Sequence, residues 1–175
     1  MKFRNTLQSI NRSLCLILGT CFGIGCIPKA SGTFASIAIA FFWIALPDYY
    51  FYNPIELSIF FDSYLLLLLC LLILSYISVY ICKYCEQQYG HDAKEIVIDE
   101  VIGFLFAVLF LPKTIMVSIY ALIFFRIFDI AKPLYINRLQ NLPHGWGIVS
   151  DDIAAGLTTN IILQIIYRIK PEFFL

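Results

Sequence analysis

LSIFFDSYLLLLLCLLILSYISVYIC, residues 57–82, carries a single charge, Asp62, in a run longer than the roughly 20 apolar residues that cross a bilayer core. It reads as a transmembrane helix, and its neighbours extend that reading. Thr33–Leu46 is apolar and aromatic and continues to Tyr52 as a first span, with Pro47 and Pro54 bracketing a turn. Ile96–Leu111 and Thr114–Ala131 are apolar runs joined at Pro112-Lys113, and Ile153–Ile169 is the last. The chain is 61% hydrophobic and 14% charged, against about 25% charged in an ordinary globular domain, and its mean hydropathy is +0.83. The expected fold is all-α, a small polytopic membrane helical bundle, with residues 1–175 forming one membrane-integrated domain.

Twelve bases balance twelve acids, which leaves no basic surface for nucleic acid. Lys and Arg concentrate in the N-terminal stretch and in the polar loops 83–95 and 132–150, while the 47–56 turn has none. The positive-inside rule puts the basic loops in the cytoplasm. Arg168 and Lys170 close the last apolar run and disfavour its full crossing, so a partly embedded helix stands beside a span there. Lys2, Arg4 and Arg12 ahead of apolar Leu14–Ile27 imitate a signal peptide, but no small-x-small cleavage site follows, and the segment is expected to be retained. Most of the six cysteines lie in apolar runs as small hydrophobes. Cys82-x-x-Cys85 with His91 lacks a fourth ligand at zinc spacing.

Against this background five carboxylates stand out. Each costs roughly 2.5–3.5 kcal/mol near hydrocarbon, so acids placed there usually face a cation, a substrate or one another. Asp99 and Glu100 sit in IVIDEVIG (96–103), where Gly103 lies on the Asp99 face of a helix and admits another backbone. In FFRIFDIAKP (124–133), Arg126, Asp129 and Lys132 fall at i, i+3 and i+6, one polar stripe that fits either a phosphate clamp or a plain ion pair. HGWGIVSDDIAAG (144–156) joins a glycine-bearing loop to Asp151 and Asp152, which also suit an N-cap of the following helix. GIGCIPKASGTFASI (23–37) is not a P-loop, yet Lys29, Ser31 and Thr33 place donors at the membrane edge. All the acidic patches fall at cytoplasmic helix ends, as one shared site requires.

In order and spacing, PKASGTFAS (28–36), IVIDEVIG (96–103), FRIFDIAKP (125–133) and GWGIVSDDIAAG (145–156) resemble the phosphatidylglycerophosphatase A family. The resemblance covers about residues 20 to 165. Ser31, Ala35, Tyr135 and His144 depart from the residues usual in that family, but no carboxylate, Arg or Lys is lost. It implies a bacterial inner-membrane, multi-pass, Mg²⁺-dependent phosphatase with its site facing the cytoplasm, which converts phosphatidylglycerophosphate to phosphatidylglycerol and phosphate.

Under that resemblance Asp99, Glu100, Asp129, Asp151 and Asp152 are the expected Mg²⁺ ligands or water base. Lys29, Thr33, Arg126 and Lys132 are the expected phosphate-binding groups. The histidine-nucleophile, haloacid-dehalogenase and CDP-alcohol phosphotransferase patterns are absent from the chain. The reading from another class is a small membrane cation carrier or channel, whose acids bind ions and release no phosphate.

Overall fold

The computed structural model describes residues 2–46 and 57–174, and all regular structure among them is helical. The helices are α1 (Lys2–Gly19), α2 (Ser31–Ala45), α3 (Leu57–Tyr89), α4 (Ile98–Val108), α5 (Ile115–Ala131), α6 (Leu134–Leu139) and α7 (Gly145–Ile169). Short 3₁₀ turns follow α1 and α7 at Ile24–Cys26 and Pro171–Phe174. The expected extension of the first span to Tyr52 and the turn at 47–56 lie outside the described residues.

Several boundaries differ from the sequence reading, each for a local reason. The Leu14–Ile27 run breaks after Gly19, where Cys21 and Phe22 take left-handed φ values of 45° and 57°. α3 continues through Tyr89, so half of the expected 83–95 loop is helix, closed by Gly90 at φ 101°. The 132–150 loop holds α6 and the first turns of α7. α7 therefore starts at Gly145, and Asp151 and Asp152 lie inside the helix rather than at its cap. This early start needs glycine: a Cβ on Gly145 would collide with the Val79 carbonyl, and one on Gly147 with the Gln140 and Leu142 carbonyls.

The α4–α7 pair is the centre of the packing, with α3 and α5 against both helices, α2 against α4 and α6 against α7. One apolar cluster joins Trp43, Phe104, Val108, Phe125 and Leu163; a second, toward α1 and α3, joins Leu71, Cys82, Cys85, Ile102 and Val149. At 11 residues, α4 is only about 16 Å long and too short to cross a bilayer core. Its end is closed by Asn160 of α7, whose Nδ2 donates to the Ala107 carbonyl at 3.0 Å and the Leu109 carbonyl at 2.6 Å. Long apolar side chains face outward instead, including Leu66, Leu69 and Ile73 on α3 and Ile119, Ile123 and Ile127 on α5. Leu65–Tyr89 is long and apolar enough to cross a membrane.

α4 and α7 meet at two glycines. A Cβ on Gly156 would strike the Gly103 carbonyl, and one on Gly103 would lie 2.6 Å from the Phe125 ring and 2.8 Å from the Asp152 carbonyl. Gly156→Ala is expected to destabilise the fold by about 1–3 kcal/mol, as overpacking does, because backbone cannot rotate out of the way. Thermal melts in detergent check this; an unchanged melting temperature would show that the helices separate freely.

Candidate metal and phosphate site

Asp99 and Glu100 occupy the first turn of α4, and Asp152 reaches them from the second turn of α7. One carboxylate oxygen from each of the three lies within 4.8 Å of the others. Asp99 Oδ1, Glu100 Oε2 and Asp152 Oδ2 are buried and have no hydrogen-bond partner among the described residues. Buried polar atoms are nearly always satisfied, so three orphan carboxylate oxygens in one place call for a ligand. Hard oxygen donors of this kind suit a divalent cation such as Mg²⁺ or Ca²⁺. The acidic cluster can hold a metal on this ground alone.

The sequence stripe on α5 divides. Arg126 Nη1 donates to Asp129 Oδ2 at 2.6 Å and lies 3.9 Å from Glu100 Oε1, while its Nε is buried without a partner among the described residues. The i,i+3 ion pair is thus present, with one guanidinium edge left over beside the acids. Lys132 turns elsewhere. As the C-cap of α5 it has a left-handed φ of 38°, and its Nζ donates to Asp151 Oδ2 at 2.7 Å and Asp92 Oδ2 at 3.4 Å. Burial opposes its ammonium, but the Asp151 hydrogen bond and the charges of Asp151, Asp92 and Asp152 outweigh that and raise its pKa.

α2 brings the glycine–lysine loop to the same place. Gly32 packs so closely that a Cβ there would strike the Glu100 carboxylate and lie 3.1 Å from Arg126 Nη1. Ser31 Oγ donates to the Lys94 carbonyl at 2.6 Å, tying the start of α2 to the segment before α4. Lys29 is exposed, with φ 72°, and Thr33 is half-buried. Asp99, Glu100, Arg126, Asp129 and Asp152 are gathered most tightly, Asp151 and Lys132 form a neighbouring pair, and Lys29 sits on the exposed loop just before α2.

Asp92 and Gln140 were not singled out in the sequence. Gln140 Nε2 donates to Asp92 Oδ2, and together they flank Lys132. Asp92 lies in a polar stretch beside Gly90 and His91, where an acid looks like any solvated loop acid; only the fold shows it facing Lys132.

A sequence model of the family described as Phosphatidylglycerophosphatase A matches residues 17–167. The chain belongs to this family of phosphatases. It is 33% identical over 153 residues to Phosphatidylglycerophosphatase A of Escherichia coli strain K12, covering 86% of this chain and 81% of that relative. It is 30% identical over 155 residues to a Bacteroides thetaiotaomicron protein named "Putative phosphatidylinositol-3-phosphatase", covering 86% of this chain and 91% of that one. No solved structure matches the chain.

The two ion contacts of Lys132 should differ in weight. Asp151 is only 1% exposed, so Lys132→Met would leave it an uncompensated buried charge, at about 3–5 kcal/mol. Adding Asp151→Asn should recover most of that loss. Asp92 is partly exposed, and Asp92→Ala should cost under about 1 kcal/mol. Denaturation of the three variants decides it; equal losses for Lys132→Met with and without Asp151→Asn would contradict the pairing.

Proposed function

We propose that the chain is a Mg²⁺-dependent lipid phosphatase that hydrolyses phosphatidylglycerophosphate to phosphatidylglycerol and phosphate. In this reading the whole chain acts as one domain, embedded with several crossings in the bacterial inner membrane, with its site at the cytoplasmic face. The observation that carries it is the set of orphan oxygens on Asp99, Glu100 and Asp152, buried beside the unpaired Arg126 Nε in a chain of this family. Lys83, Lys94, Lys132 and Arg138 belong to the same end of the bundle as the acids, which supports the cytoplasmic orientation. The apolar side chains exposed along α3 and α5 support a lipid environment.

Asp99, Glu100 and Asp152 would hold the metal, with Asp129 and Asp151 completing or orienting the set. Mg²⁺, when bound, supplies Lewis-acid neutralisation of phosphoryl charge and a template for water. Arg126 offers a planar guanidinium to phosphate oxygens, and Lys132 a point charge. Lys29, Thr33 and the backbone N–H groups that open α2, the helix whose Gly32 packs on Glu100, would supply further donors to the phosphate. A carboxylate of the set takes a proton from water as it attacks phosphorus. The P–O bond to the glycerol carbon chain breaks, and the departing oxygen receives a proton, giving the free alcohol and inorganic phosphate.

Phosphatidylinositol 3-phosphate is the second substrate to assay, because the Bacteroides relative named for it matches over nearly its whole length. Both lipids present a phosphomonoester at a membrane surface, so the same groups would serve. Phosphate release from the purified protein, measured on each lipid with Mg²⁺ and with EDTA, is the test. Release from phosphatidylglycerophosphate that EDTA abolishes and Mg²⁺ restores is expected. Faster turnover of the inositol lipid would reassign the substrate, full turnover without metal would remove Mg²⁺, and no release from either lipid would favour the cation-carrier reading.

A further inference from the structure

Asp92, Lys132, Gln140 and Asp151 come from four segments and meet beside the three converging acids. Asp92 lies between α3 and α4, Lys132 ends α5, Gln140 ends α6, and Asp151 sits in α7. Lys132 Nζ donates to Asp151 Oδ2 at 2.7 Å, and Asp151 Oδ1 accepts from the Asp152 N–H at 3.1 Å. The ammonium is thus bonded to the residue next to the acid that α7 gives to the cluster.

Lys132 does not need Asp92. Its 2.7 Å bond to Asp151 has the length of a charge-assisted hydrogen bond, whereas its 3.4 Å contact with Asp92 Oδ2 is longer than such bonds run. Asp92 is fixed instead by Gln140, whose Nε2 donates to the same Oδ2. Gln140 is itself packed against α7, where a Cβ on Gly147 would strike its carbonyl. Asp92 Oδ1 is left without a partner among the described residues, on a side chain 38% exposed.

A carboxylate in that position needs a reason. Asp92 is not one of the three acids whose oxygens converge, and it would repel a phosphate held by Lys132 and Arg126. The repulsion is offset where the substrate brings a hydrogen-bond donor alongside its phosphate. A hydroxyl is such a donor, and a carboxylate oxygen is an acceptor only. Both lipids put forward above carry a hydroxyl on the carbon next to the phosphate-bearing carbon, whether the headgroup is glycerol or inositol.

We propose that Asp92 is a specificity-determining residue whose Oδ1 accepts a hydrogen bond from that neighbouring hydroxyl, with Gln140 as the positioning residue that fixes it. The site then selects phosphomonoesters with a free hydroxyl on the adjacent carbon over those that lack it. A site built to bond a substrate hydroxyl rejects the analogue without one, because its own polar group is left unpaired. The proposal rests on the lipid-phosphatase reading and adds to it a basis for headgroup choice.

The test is kcat/KM for phosphate release by the full chain in detergent micelles with Mg²⁺. The substrates are phosphatidylglycerophosphate and its deoxy analogue, in which propanediol phosphate replaces glycerol phosphate. The wild-type protein should prefer the hydroxyl lipid by about 10- to 100-fold, less than a fully buried site achieves because Asp92 is open to water. Asp92→Ala should bring the ratio to within about threefold of one, and Gln140→Ala should lower it by a smaller factor. Thermal melts establish that the variants fold, and Gln140→Ala reports the same ratio if Asp92→Ala does not. An equal loss on both lipids in the variants would mean that Asp92 acts only through Lys132 and would overturn the proposal. So would a wild-type protein that turns over both lipids alike. If phosphatidylinositol 3-phosphate is the faster substrate, the ratio is taken against its analogue lacking both neighbouring hydroxyls, and a preference that survives Asp92→Ala overturns the proposal there. Release from none of these lipids would remove the phosphatase reading itself, and the role of Asp92 with it.

Discussion

Gly156 rests on the Gly103 carbonyl, so α4 and α7 touch backbone to backbone, and the site is built outward from that contact. Each glycine follows an acid by four residues, Asp99 on α4 and Asp152 on α7. On a helix, positions four apart share a face, so the seam that brings the backbones together also carries the carboxylates. The helices run in the same direction, with both acids at the same end of the seam. Larger residues at either glycine would widen the seam and move the acids apart. Packing and chemistry therefore depend on the same two columns of residues.

Holding the acids together is electrostatically unfavourable, and the fold offsets this only in part. Asp92, Asp99, Glu100, Asp129, Asp151 and Asp152 are accompanied by Arg126 and Lys132. α2 and α4 both begin at the site, so the partial positive charge of their N-termini adds about 0.3–1 kcal/mol each. The remaining negative charge is what a divalent cation would neutralise. Local strain gathers here too: Lys29, Ala30, Asp92, Lys132 and His144 take left-handed φ values in the loops around the acids. Non-glycine residues persist in that region only where the surrounding packing over-determines them, and such strain clusters at functional sites.

The all-helical class was legible because long apolar runs admit little else, and the acids were legible because they contradict their surroundings. Asp99 and Glu100 open α4 as the run IVIDEVIG suggests. The start of α7 was not legible, because Gly145 and Gly147 read as loop residues until the Val79 and Gln140 carbonyls beside them are seen. The division of the Arg126–Asp129–Lys132 stripe was equally hidden. Helical spacing puts the three on one face, but Lys132 is the C-cap, and its left-handed backbone turns the side chain to Asp151. Asp92 and Gln140 depend on a contact 48 residues apart in sequence that no local pattern encodes.

The run Ile96–Leu111 reads as a span from composition, yet α4 stops at Val108, and the reason lies in another helix. A helix that ends inside an apolar environment leaves carbonyls with no water to receive a hydrogen bond, which is why such ends are rare in lipid. Asn160 supplies the missing donors to Ala107 and Leu109, and Gln164 Nε2 fixes the Asn160 amide by donating to its Oδ1 at 2.7 Å. Asn160 follows Gly156 by four residues, so it continues the face of α7 that already carries Asp152. One face of α7 thus presents an acid to the beginning of α4, a glycine to its middle and an amide to its end. That is how a helix of only 11 residues can be held with two acids at its start: its length and position are set by α7 rather than by the thickness of a membrane.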